Sequence, residues 1–150
     1  MKKFLSIIFL CFVFCVCGFN NVFFEYLVDL DKNSKVCFYC SERNQTGFVQ
    51  EIQNGQGYVY ETTNEKAKDI YKTLKGCYGF SIRLGATALD DILKNVHIVK
   101  TEKLEGLENF YCMANGLMFF DFLDNKKINI QIAKTSSGVI VGSPIILGSY

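Results

Sequence analysis

The chain has 150 residues, 49% of them apolar, with 16 basic and 15 acidic side chains and a net charge of +1. That balance disfavours nucleic-acid binding, because a phosphate-backbone binder draws its affinity from a clustered excess of Lys and Arg. A single proline and the lack of any low-complexity linker leave room for one domain after an N-terminal leader and no boundary within it.

Lys2 and Lys3 precede a run from Phe4 to Cys17 in which Ser6 is the only polar residue. A basic tip, about 15 apolar residues and then small residues form the pattern of a secretory signal. The run is short for a spanning helix, which needs roughly 20 apolar residues. Val16-Cys17-Gly18 offers a cleavage site after Gly18, and cleavage after Cys17 is nearly as good. An uncleaved anchor is the rival reading, with Lys2 and Lys3 on the cytoplasmic side in either case. Cys11, Cys15 and Cys17 follow Leu10, Phe14 and Val16, so none has the small preceding residue of a lipid-modified cysteine. Residues 1–18 therefore predict export, and 19–150 an extracytoplasmic domain that is secreted or tethered to the outer face of the cytoplasmic membrane. Without Lys2 and Lys3 the charged residues number 14 basic against 15 acidic.

Residues 22–31 suit a short amphipathic helix with Phe23, Leu27 and Leu30 on one face, or else a strand. From Lys35 the pattern turns to β. Val36, Phe38 and Cys40 alternate with Cys37 and Tyr39, and runs at 48–52 and 58–60 flank Asn54-Gly55, a strong hairpin signal. Thr63 or Asn64 caps a helix over about 65–75, with Ala67, Ile70, Tyr71 and Leu74 as its stripe and Gly76 as its left-handed terminator. A strand over 78–84 leads to a second helix at about 87–95, where Thr87 and Asp90 resemble a capping box. Strands then follow at 96–103, 109–114, 117–122, 127–134 and 139–142, with turns at Glu105-Gly106, Asp124-Asn125 and Ser137-Gly138 and a further strand at 145–147. Two helices with segregated, mostly antiparallel strands make an α+β domain.

Four cysteines follow the leader: Cys37, Cys40, Cys77 and Cys112. In an oxidising compartment they allow two disulfides in three pairings, and free thiols remain an alternative. Cys37-Phe38-Tyr39-Cys40 is a C-x-x-C pair and a candidate for thiol–disulfide exchange. Its β-like setting lacks the helix N-terminus that lowers a thiol pKa, so buried structural cysteines are the simpler reading. A zinc site lacks the second paired spacing. His97, the single histidine, sits in a strand with no visible orienting residue for a Cys–His pair with Cys77 or Cys112. Met118-Phe119-Phe120-Asp121-Phe122-Leu123 is a dense apolar stretch. A buried strand is the favoured reading, and a contact edge carried by Phe119, Phe120 and Phe122 is the other. Asn129 and Gln131 alternate with Ile128, Ile130 and Ile132, so both amides are expected on one sheet face, as structural groups or as the lining of a polar groove. Gly142 and Pro144 fit a strand-ending bend better than a phosphate loop. No pattern calls for a cofactor or a metal.

The closing segment, Lys126-Lys127-Ile128-Asn129-Ile130-Gln131-Ile132-Ala133-Lys134 followed by Val139-Ile140-Val141-Gly142-Ser143-Pro144-Ile145-Ile146, resembles that of the YwmB family of Bacillota. Leu93–Val99, Glu105-Gly106 and Phe110-Tyr111-Cys112 extend the resemblance over roughly 76–150. It implies an exported α+β protein with a fold likened to the TATA-box-binding protein, and a role in the envelope or linked to sporulation. It transfers no catalytic residues, no cofactor and no DNA-reading residues. The strand–helix–four-strand order over 78–142 suits one such unit, and 47–75 the tail of a preceding one. The expectation is a non-catalytic domain that binds a protein or cell-wall partner.

Overall fold

The computed structural model describes residues 22–45, 50–54 and 57–147; the expected leader, 1–18, lies outside them. Three helices and ten strands follow in the order α1 (Val22–Leu30), β1 (Lys35–Cys40), β2 (Gln50–Asn54), β3 (Gly57–Thr63), α2 (Asn64–Thr73), β4 (Cys77–Leu84), α3 (Leu89–Leu93), β5 (His97–Leu104), β6 (Leu107–Met113), β7 (Asp121–Leu123), β8 (Lys126–Ile128), β9 (Ile130–Thr135) and β10 (Gly138–Ser143). Eight strands form one sheet in the order β2-β3-β1-β4-β10-β9-β6-β5, with every neighbouring pair antiparallel; β7 and β8 form a separate hairpin. The domain is α+β, as its sequence predicts.

Side chains alternate across a strand, so the register assigns the two faces. Phe38 stands opposite Phe80 and Tyr60, Val36 opposite Ile82, Val141 opposite Ile82 and Ile132, and Phe110 opposite Ile132. These residues are buried, and the apolar stripes of α1 and α3 join them in one core. Phe24 is the hub. Its ring meets Phe80 edge-on at 4.8 Å between centroids, and lies 4.8 Å from Tyr71 of α2 and 5.7 Å from Phe38. Tilted and edge-on aromatic pairs of this kind add to the stabilisation from burial alone.

The helix ends have specific partners. Thr63 occupies the N-cap of α2 without a side-chain capping bond. Asn64 turns its side-chain amide to the end of α1, donating to the carbonyls of Val28 (2.9 Å) and Asp31. Those carbonyls lack intrahelical partners, so one buried amide joins α1 to α2. The predicted helix over 65–75 ends earlier, at Thr73, because Leu74 is extended. Gly76 does adopt the left-handed region (φ 64°), but in the turn into β4. The expected helix at 87–95 begins as a 3-10 turn over Ala86–Ala88 and becomes α-helical at Leu89–Leu93, which places Thr87 inside the turn instead of at a cap.

Three predicted strands need correction. Residues 117–120 are not in a strand, and pairing begins only at Asp121. Residues 145–147 pair with no strand; they fold back over the sheet. The strand expected over 127–134 is interrupted at Asn129, which separates β8 from β9.

Candidate functional site

The β7–β8 hairpin turns on Asp124 and Asn125, both at positive φ (49° and 61°). Two consecutive left-handed residues make the tight hairpin turn whose twist matches its strands, and Asp and Asn tolerate that conformation best among residues with side chains. The Asp124 carboxylate also binds Lys100 of β5 at 2.8 Å, and Lys100 reaches Glu102 at 2.7 Å. Lys100 thereby holds both carboxyls below their ordinary range, and they in turn raise its own pKa. An exposed ion pair thus links the hairpin turn to the edge strand of the main sheet.

The apolar side chains leading into that hairpin are exposed. Met118 is 55% exposed, Phe120 53% and Phe122 62%, while Phe119 is half-buried. The buried strand favoured for this stretch does not form: residues 117–120 pair with no strand, and Met118, Phe120 and Phe122 stand in solvent. Phe120 and Phe122 meet edge-on with centroids 5.9 Å apart, and the Lys127 ammonium sits 4.1 Å from the Phe120 centroid. A cation over a ring face is attracted by the ring quadrupole, so the two rings have a defined mutual arrangement at the surface.

The cysteines divide differently from the C-x-x-C pattern. A spacing of three in a strand puts Cys37 and Cys40 on opposite faces. Cys37 points to the helix-free face, its sulfur 3.9 Å from Glu61, and burial together with that carboxylate raises its pKa. Cys40 is fully buried on the core side, and its cross-strand neighbour is Cys77 of β4. Cys112 is buried, and burial pushes its thiol up to about 12. His97 is exposed at the start of β5 opposite Met113, and it is Ile98 that stands across from Cys112. No Cys112–His97 pair forms. Among the described residues no three His, Cys, Asp or Glu side chains gather as metal ligands.

The two amides are both buried, and neither lines a groove. Asn129, in the gap between β8 and β9, donates to the Ala114 carbonyl and accepts the Ala114 N–H, each at 2.7 Å. It substitutes for a ladder pair where the strand breaks. Gln131 lies on the helix-free face, donating to Asn109 at 3.1 Å and accepting the Ile146 N–H at 3.0 Å. Through that bond residues 144–147 are strapped across the face. The strap runs so close to β10 that a Cβ on Gly142 would lie 2.7 Å from the Ile145 carbonyl oxygen and from the Ile146 backbone. Neither the strap nor the Cys40–Cys77 pairing has a local sequence signal, since both join segments far apart along the chain.

Comparison of the chain with protein-family models, with curated proteins and with solved structures finds no match.

Proposed function

We propose that this chain is an exported cell-envelope protein of the YwmB type, a non-catalytic binding domain that meets a protein partner through the edge formed by Met118, Phe120 and Phe122. Residues 1–18 deliver it across the cytoplasmic membrane and are then removed or remain as a tether. The observation that carries the binding reading is three large apolar side chains within five residues, each more than half exposed, on the segment that leads into and opens the β7–β8 hairpin. Leaving them in water forfeits the favourable burial such side chains otherwise obtain, and exposed apolar clusters tend to mark contact surfaces.

The strand order supports the TATA-box-binding-like reading. β4, the α3 region, β5, β6, β9 and β10 follow as strand, helix and four strands, with the β7–β8 hairpin inserted. β1 pairs antiparallel with β4 in the sheet, where β1, β2, β3 and α2 take the part of a shortened preceding unit.

Cell fractionation with N-terminal sequencing of the product tests the export half. The expected result is a membrane-bound or secreted chain, starting near residue 19 or intact as an anchor; an intact chain dissolved in the cytosol contradicts it. Phe120→Asp tests the binding half. The variant is expected to stay soluble and to lose the partner that the unaltered chain retains. An insoluble Phe120→Asp product would instead make Phe120 part of the core.

A further inference from the structure

We propose that Cys40 and Cys77 form a two-cysteine redox site, with Cys77 as the attacking and Cys40 as the resolving thiol, which closes to a disulfide on reaction with a small-molecule disulfide. This goes beyond the binding reading and does not depend on it.

The geometry carries the proposal. Cys40 ends β1 and Cys77 begins β4, and the two are register partners on adjacent antiparallel strands. A bulge between Tyr39 and Cys40 skips Tyr78 and brings Cys40 opposite Cys77; cross-strand partners lie about 4.5–5.5 Å apart at Cα in a regular ladder, and a disulfide spans roughly 4.4–6.8 Å. The two thiols are electrostatically linked: each shifts the other's pKa, that of Cys40 upward and that of Cys77 downward. The chain on either side is clamped. The Ser41 N–H donates to the Gly76 carbonyl at 3.0 Å, and the Ser41 hydroxyl donates to the same oxygen at 3.2 Å. Asn44 donates to the Lys75 carbonyl at 3.0 Å and accepts the Lys75 N–H at 2.7 Å. Four hydrogen bonds thus fix residues 41–44 against 75–76, so the chain segments beside the two cysteines are held together before any bond forms.

The roles follow from surroundings. Cys77 is partly exposed and Cys40 is fully buried, so an incoming disulfide reaches Cys77 first. As a thiol, Cys77 lies 3.5 Å from the Gly79 carbonyl and donates to it. As a thiolate it is stabilised by the Cys40 thiol and by the Gly79 backbone, which together lower its pKa against the opposing effect of burial. Cys40 is held protonated by its interaction with Cys77 and by burial. Thiolate character decides which cysteine attacks.

Cys77 thiolate attacks one sulfur of oxidised glutathione. The S–S bond breaks, one glutathione thiolate leaves, and a mixed disulfide forms on Cys77. Cys40 passes its proton to the departing thiolate and attacks the Cys77 sulfur, releasing the second glutathione. Two protein thiols are oxidised, and one small disulfide is reduced to two thiols.

Full-length chain equilibrated in glutathione buffers of rising potential, quenched, alkylated and digested with trypsin tests this. Cleavage yields peptides 36–43 and 76–83, the first holding both Cys37 and Cys40. The expected product is these two peptides joined, two hydrogens lighter than their sum, with fragmentation placing the bridge at Cys40. Cys37→Ser should keep the bridge and Cys77→Ser should abolish it, while Cys40→Ser should trap glutathione on Cys77. The oxidised chain should also show a raised Tm, as expected for a cross-link that restricts the unfolded state. A bridge at Cys37, or Cys77 recovered fully alkylated at every potential, would overturn the proposal. Should Cys40→Ser fail to fold, the peptide map of the unaltered chain still decides.

Discussion

The side-chain carbonyl of Gln131 accepts the backbone N–H of Ile146 at 3.0 Å, tying the chain that follows β10 back across β9. Gly142 makes this possible, because the strap passes where any Cβ would sit. Gln131→Leu leaves the Ile146 N–H without its acceptor and is expected to cost about 1–3 kcal/mol. Gly142→Ala must lift the strap and is expected to destabilise by about 1–3 kcal/mol through overpacking. Denaturant melts give the cost, and hydrogen exchange at Ile146 reports the strap itself. Unchanged exchange at Ile146 in both variants would show that it is held by something else.

Asn129 performs the pairing that the broken strand cannot. Its amide satisfies both the N–H and the carbonyl of Ala114, and all of these groups are buried. Asn129→Ala strips both partners from Ala114 and is expected to cost at least the 1–3 kcal/mol or so of one buried unsatisfied group. Asn129→Asp keeps the acceptor but sets a carboxylate against the Ala114 carbonyl, and should be worse than Asn129→Ala at neutral pH. Equal stability of the three chains in urea would contradict this role.

The regular elements were largely legible from local pattern. Alternation at 36–40, the hairpin spacing around 54–57 and the stripe at 67–74 correspond to β1, the β2–β3 pair and α2. Alternation does not say which residue of another strand stands opposite, so the sequence leaves three pairings of the four cysteines open and does not single out Cys40 with Cys77. An apolar run such as 118–123 reads alike whether buried or exposed; only the tertiary position of the β7–β8 hairpin, outside the eight-stranded sheet, decides. Asn129 fits an alternating strand by residue type, and its placement in a gap depends on Ala114, fifteen positions away.

Cys112 makes stability sensitive to alkali. Burial holds its folded-state pKa at about 12, against an ordinary value of about 8.5 in the unfolded chain. Above about pH 8.5 the unfolded thiol loses a proton that the native one keeps. The unfolded state then binds fewer protons, and stability falls as pH rises toward 12, by about 1.4 kcal/mol per pH unit from this group. Below pH 8.5 the group contributes no slope. Denaturant melts between pH 7 and 10 on the unaltered chain and on Cys112→Ala should show a shallower alkaline decline in the variant. Parallel declines would place the proton loss elsewhere.

The exposed aromatic hairpin is tested most directly by photo-crosslinking in the source cells, with benzoylphenylalanine at position 120 or 122 and, as control, at the exposed Lys72 of α2. The expected result is one discrete protein adduct from positions 120 and 122, absent from position 72 and lost when the other ring of the pair is changed to Asp, with thermal stability unaltered. Equal, diffuse labelling from all three positions, or no adduct from 120 and 122, would contradict a contact role for this edge.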